Sequence, residues 1–165
     1  MAHTRYDPPV DLSCFASLPN LECLSLYSVE LPDKTLRLDK LQELIVCEVP
    51  APHKWRHLQL PSLTQLTTRH KTASAILVPL SASAPRLQEL SICDRKAPTH
   101  VNFPAHVGRP FTPCDALLRE LAQPFGMQML LPALRLIRST FHAELFTSAD
   151  ARDELLQARP ALKLH

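Results

Sequence analysis

The sequence predicts an α/β fold: a solenoid of stacked repeats in which a curved parallel sheet carries helices and loops on its outer side. Three observations predict it. A short leucine motif recurs along the chain. Leucine supplies 30 of the 165 residues while aromatics make up 5%. There are 16 prolines beside 2 glycines. One branched apolar side chain used again and again, with few large rings, points to near-identical stacked layers.

The motif opens as Leu18-Pro19-Asn20-Leu21-Glu22-Cys23-Leu24-Ser25-Leu26. It returns at Leu38–Val46, Leu60–Thr68, Ala84–Ile92 and Leu131–Ser139, and a shortened sixth copy runs Arg159–His165. Its first motif leucines, Leu21, Leu41, Leu63, Leu87, Leu134 and Leu162, are spaced by 20, 22, 24, 47 and 28 residues. The interval of 47 is one long repeat or two with a degenerate strand. In Leu-x-x-Leu-x-Leu the last two leucines stand two apart, on one face of a short strand. Pro19, Pro61, Pro85, Pro132 and Pro160 sit two residues before the first motif leucine. There a proline ends the preceding segment and gives up its N–H before the ladder begins. A single repeat cannot bury its leucines, whereas stacked neighbours can, and this defines a leucine-rich-repeat solenoid.

The connections are read in the same way. Thr112-Pro113-Cys114-Asp115 predicts a helix start, with Thr112 as N-cap and Pro113 at the first helical position. Leu117, Leu118 and Leu121 then form the buried stripe up to Pro124. Thr147 to Asp150 opens a second helix, with Leu155 and Leu156 inward, ending near Arg159-Pro160. Ala73 to Leu80 is a third candidate, interrupted by Pro79. Lys96 to Pro113, rich in proline and poor in leucine, reads as a long inserted loop. The organisation is thus a short polar segment over residues 1–11 and a repeat domain over 12–165, with a Pro-rich insertion at 96–113.

Composition narrows the function. A formal charge of +2 lacks the basic excess of a dedicated nucleic-acid or membrane-surface protein. No apolar run is long enough to span a bilayer, and Pro8-Pro9 stands where a signal peptide needs its apolar stretch. Gly108 and Gly126 stand apart, so neither a dinucleotide fingerprint nor a P-loop can be written. Cys14, Cys23, Cys47, Cys93 and Cys114 are odd in number and contain no C-x-x-C pair. Free thiols in a reducing compartment, cytoplasmic or nuclear, are therefore expected.

Chemistry-bearing spacings are few. His53 and His57 stand four apart around Trp55, but no third ligand follows, so a surface turn with Trp55 tucked inward is expected. No serine is flanked by glycine as a nucleophile elbow requires. No catalytic, cofactor or metal site is expected, and the chain is read as not an enzyme. The informative surface is the concave sheet face. Its columns are Cys23, Ser25 and Tyr27; Glu43, Ile45 and Cys47; Gln65, Thr67 and Arg69; and Glu89, Ser91 and Cys93. Arg69-His70-Lys71 and Asp94-Arg95-Lys96 recur 24 residues apart, which sets Lys71 beside Arg95 on a basic rim. Tyr27, Glu43, Cys47, Arg69, His70, Lys71, Glu89, Cys93, Asp94 and Arg95 are the expected partner-binding residues. A protein partner with an acidic or phosphorylated segment suits this surface.

The repeats resemble the leucine-rich-repeat region of fungal F-box proteins. The likeness is carried by the Leu-Pro-x-Leu step and by the tail. In the tail, Leu131-Pro132-Ala133-Leu134-Arg135 is followed by Ser148 to Leu156 and then Gln157-Ala158-Arg159-Pro160-Ala161-Leu162. It covers the chain from Leu12 onward. The resemblance implies a substrate-recruiting arm of a ubiquitin-ligase receptor, in which a separate F-box docks on the cullin–RING adaptor. The F-box itself is not present, and Val29, Val49, Lys71 and Arg95 replace the asparagine ladder of many such repeats. The expected function is a non-enzymatic protein–protein interaction module. One alternative is a fragment of a complete F-box receptor lacking its docking part. The other is an enzyme with an unrecognised site.

Overall fold

The computed structural model describes residues 9–93, 115–125, 128–139 and 149–165. Each leucine motif within them becomes a strand. In chain order the elements are β1 (Val10–Asp11), a 3-10 turn (Leu12–Ser17), β2 (Cys23–Glu30), β3 (Leu36–Arg37) and β4 (Glu43–Glu48). A second 3-10 turn (Pro52–His57), β5 (Leu58–Gln59), β6 (Gln65–Thr68), α1 (His70–Ser83) and β7 (Glu89–Ile92) follow. Then come α2 (Asp115–Ala122), β8 (Pro124–Phe125), β9 (Gln128–Met129), β10 (Leu136–Ser139), α3 (Ala149–Ala158) and β11 (Lys163–Leu164).

The architecture is α/β, with an open sheet of 7 strands in the order β1-β2-β4-β6-β7-β10-β11. Every neighbouring pair in it is parallel. The register follows the motif: Leu24, Leu44, Leu66, Leu90 and Ile137 lie in one row, and Leu26, Val46, Thr68 and Ile92 in another. Two local devices set it. In the five copies that carry proline, the first motif leucine donates its N–H to the carbonyl three residues earlier, across Leu18–Leu21, Leu60–Leu63, Ala84–Leu87, Leu131–Leu134 and Arg159–Leu162. Proline thus occupies the second place of a β-turn, where its fixed φ fits. Next, the carbonyls of Glu22, Gln42, Thr64 and Gln88 each accept two N–H groups of the following repeat, at 2.7–3.1 Å.

Leu24, Leu44, Val46, Leu66, Leu90, Ile92, Leu134 and Ile137 are buried in one continuous cluster, as the spacing predicts. Leu26 is only half-buried. It lies near the sheet edge, because β1 reaches β2 only at Val29 and Glu30. Leu117, Leu118, Leu121 and Leu155 join the core, and Leu156 is half-buried. Trp55 is fully buried, its indole N–H donating to Ser83 Oγ at 3.0 Å.

One expectation needs correction, and the structure adds detail to others. The third helix is not interrupted: α1 runs unbroken through Pro79, four residues before its end at Ser83. Ala73, Ile76, Leu77 and Leu80 bury one stripe, and this packing outweighs the single lost backbone bond. The last of residues 1–11 are structured, for Val10 and Asp11 form β1 and Asp11 caps the first turn. The interval of 47 residues is one long repeat, since β7 pairs directly with β10. The sixth copy has slipped by one residue, because Ile137 faces Leu164 where the leucine spacing would place His165. A two-stranded parallel pair, β3 with β5, and an antiparallel hairpin, β8 with β9, stand outside the main sheet. The helix starts expected at Thr112–Pro113 and Thr147–Ser148, and the whole of the 96–113 insertion, lie outside the described residues.

Candidate functional site

Strand pleating sends alternate side chains to opposite faces, so the face turned from the core is legible from the register. Cys23, Glu43, Gln65, Glu89 and Leu136 form its first row, and Ser25, Ile45, Thr67, Ser91 and Arg138 its second. From β2 to β7, none of the residues in the expected columns is buried. The helices belong to the other side, where Ala73, Ile76, Leu118 and Leu155 share the cluster of Leu66 and Leu90. Glu89 pairs with Arg138 at 3.0 Å across β7 and β10, and also accepts the Ser91 hydroxyl at 3.4 Å.

At the C-terminal ends of the strands, three repeats converge on Arg69. Its Nη1 meets Glu48 Oε1 at 2.5 Å and its Nη2 donates to the Tyr27 oxygen at 2.9 Å. The Tyr27 hydroxyl in turn donates to Glu48 Oε1 at 3.4 Å. The guanidinium carbon also lies 5.3 Å from the Tyr27 ring centre, in cation–π range. Burial works against the Arg69 charge, but the hydrogen bond to Tyr27 and the neighbouring Glu48 carboxylate help to outweigh it and raise its pKa. Tyr27 nonetheless remains 53% exposed. A half-buried ionic cluster therefore holds a tyrosine in place at the rim. Cys47 and Cys93 flank it, and burial, then the Cys47 thiol, pushes the Cys93 thiol up from its ordinary value.

The expected basic rim falls only partly on the described residues. Arg69 bonds Glu48 and Tyr27, and the chain turns into α1 directly afterwards, so Lys71 stands exposed on the first helical turn. His70 opens that helix, while Asp94 and Arg95 lie outside the described residues. Of the ten expected partner-binding residues, the structure brings Tyr27, Cys47, Arg69 and Cys93 together at one end. Glu43 and Glu89 lie in the first row at the other.

Sequence reasoning missed a polar groove at the N-terminal ends of the strands. One stretch, of about 390 Å³, is lined by Glu22, Lys40, Gln42, Ser62, Thr64, Arg86 and Gln88. A second, of about 300 Å³, shares Thr64 and Gln88 and continues to Gln65, Glu89, Arg135 and Leu136. The available signal was the pair of residues flanking each first motif leucine: Lys40 and Gln42, Ser62 and Thr64, Arg86 and Gln88. Among the described residues, no group of three or more His, Cys, Asp or Glu side chains is arranged to hold a metal ion. His53 is exposed and His57 half-buried, both on the 3-10 turn rather than on a helix. No described helix is long and apolar enough to cross a membrane. No family model, curated protein or solved structure matches the chain.

Proposed function

We propose that the chain is a leucine-rich-repeat solenoid that acts as a non-enzymatic protein-interaction module, with the outward face of its sheet meeting the partner. One observation carries this reading. Parallel sheets are ordinarily covered on both faces. Here four consecutive parallel strands, β2, β4, β6 and β7, have one face in the core and the other with no residue buried. That face is of mixed polarity, and it ends in a tyrosine fixed by the Arg69–Glu48 pair. Exposed aromatics held by their neighbours bind at low entropic cost. The resemblance to F-box repeat arms extends the reading to recruitment of a substrate for ubiquitin ligation.

The test is quantitative affinity capture with the intact chain against a variant carrying Ile45→Arg and Ser91→Arg, both on the outward face. The reading expects a defined set of proteins retained by the first and lost by the second, with unchanged circular dichroism. Equal retention by both would refute it.

A further inference from the structure

The polar groove at the strand entries has a charge pattern that the rim lacks. Lys40, Arg86 and Arg135 line it, and all three are exposed. Lys40 donates to Asn20 Oδ1 at 2.7 Å, but it has no acidic partner among the described residues. Arg86 and Arg135 form no ion pair there either. Of the two carboxylates in the lining, Glu89 is engaged by Arg138. Between the cations lie Gln42 and Gln88, which both donate and accept, and the hydroxyls of Ser62 and Thr64. The Thr64 hydroxyl donates to the Gln42 main-chain carbonyl at 3.2 Å, and the Gln42 side chain itself is exposed.

Resting on the interaction-module reading, we infer that this groove binds an acidic polypeptide segment in polyproline-II conformation, with acidic side chains three residues apart. Spacing carries the inference. Lys40 precedes β4 and Arg86 precedes β7, and one strand, β6, lies between them. Two strand spacings amount to about 9.6 Å. A polyproline-II chain rises about 9.3 Å in one three-residue turn and returns its side chain to the same side. Acidic residues at i and i+3 thus reach Lys40 and Arg86 together, and Arg135 lies one strand further on for a flanking acid. Such a segment has no internal hydrogen bonds, so its backbone is free to meet the glutamine amides. By contrast Arg69, already bonded to Glu48 and Tyr27, belongs to the aromatic anchor at the opposite end.

The test uses a fluorescent synthetic peptide of repeated Glu-Pro-Pro units and its Gln-Pro-Pro counterpart, read by anisotropy on the full chain. The glutamate peptide binds, the glutamine peptide binds about tenfold or more weakly, and the contrast shrinks on raising salt from about 0.05 to 0.5 M. A double variant, Arg86→Gln with Arg135→Gln, loses about tenfold in affinity, while Arg56→Gln, at an exposed position on the second 3-10 turn, retains it. Equal binding of both peptides, no binding of the glutamate peptide, an unchanged double variant, or displacement by equally charged single-stranded RNA at lower concentration would each overturn the inference. The outcomes separate the two claims. If capture still depends on Ile45 and Ser91 while the glutamate peptide fails, the groove falls and the module stands. If capture does not depend on them, the module reading falls whatever the peptide does.

Discussion

Arg159 occupies the place in the last repeat that Leu38, Leu60, Ala84 and Leu131 hold in earlier ones, three residues before the first motif leucine. Those positions are buried, and so is Arg159, at 9% exposure. Its Nε donates to the Leu121 carbonyl at 2.9 Å, its Nη1 to Leu131 at 3.0 Å, and its Nη2 to Leu130. One guanidinium therefore ties the C-terminal end of α2 to the turn before β10, where the negative end of the helix dipole favours a cation. Burial pulls its pKa below the ordinary arginine value, yet the group stays charged at any working pH. Each hydrogen bond from a charged donor contributes about 1.5–3 kcal/mol. Replacing Arg159 by alanine loses three of them but recovers the several kcal/mol that burying the charge costs. A net loss of about 2–4 kcal/mol remains, because the Leu121 and Leu130 carbonyls lose their donor while Leu131 keeps only the Leu134 N–H. For a domain of this size that lowers Tm by about 4–16 °C. Lysine offers a point charge rather than a fork, so Arg159→Lys recovers less than half of the loss. The assay is urea unfolding followed by circular dichroism, with hydrogen exchange read on α2 and β10. A loss under about 1 kcal/mol, or full rescue by lysine, would refute the clamp.

Further outcomes follow from single side chains. Thr68 holds a buried hydroxyl with no hydrogen-bond partner among the described residues, between Val46 and Ile92 in its row. Thr68→Val is expected to stabilise by about 1 kcal/mol, and a lower Tm would count against it. Leu44→Ala and Leu90→Ala should each cost about 2–5 kcal/mol in denaturant unfolding, since both leucines sit in the core. Burial raises the Cys93 pKa, so Cys93 should alkylate more slowly than exposed Cys14 and Cys23 at neutral pH, its rate rising toward higher pH. Peptide mass spectrometry after timed maleimide labelling reads this, and equal rates would disprove it. Asp11 accepts the Ser13 N–H and hydroxyl, which hold its carboxyl below the usual range. Its folded pKa is depressed, so its contribution is present above the unfolded carboxylate pKa and fades as pH falls through the folded value. Asp11→Asn should therefore flatten that acid limb in a pH-resolved melt.

The sheet was legible because its signal is periodic: Leu24, Leu44, Leu66 and Leu90 announce the strands, their parallel order and their inward face at once. Elements without a period were not. β1, β3 and β5 are two residues each, too short to show alternation, and β8 and β9 lack leucines altogether. Pro79 misled because its local cost is visible in sequence while the burial of Ile76, Leu77 and Leu80 that offsets it is not. The sixth copy misled because leucine spacing reports side chains, whereas backbone bonds such as Lys163 N–H to Arg135 O set the ladder. The site divides in the same way. The register identified Tyr27, Cys47, Arg69 and Cys93 as neighbours. The partner that occupies Arg69, Glu48, lies one residue outside the counted positions, and the groove needs the turn geometry that brings Lys40, Gln42, Arg86 and Gln88 to one edge.

Direct pairing of β7 with β10 has a practical consequence. The first motif leucines of these two copies stand 47 residues apart where the other intervals are 20 to 28, yet the two strands stay in register over Glu89–Ile92. Closing a loop of twice the length adds only about 0.6 kcal/mol of entropic cost. The strand ladder thus accommodates about twice the usual repeat length at this junction, with the turn at Leu131–Leu134 resetting the entry to β10. It is the natural port for engineering: length added within this repeat leaves β7 and β10 to find each other through their own backbones.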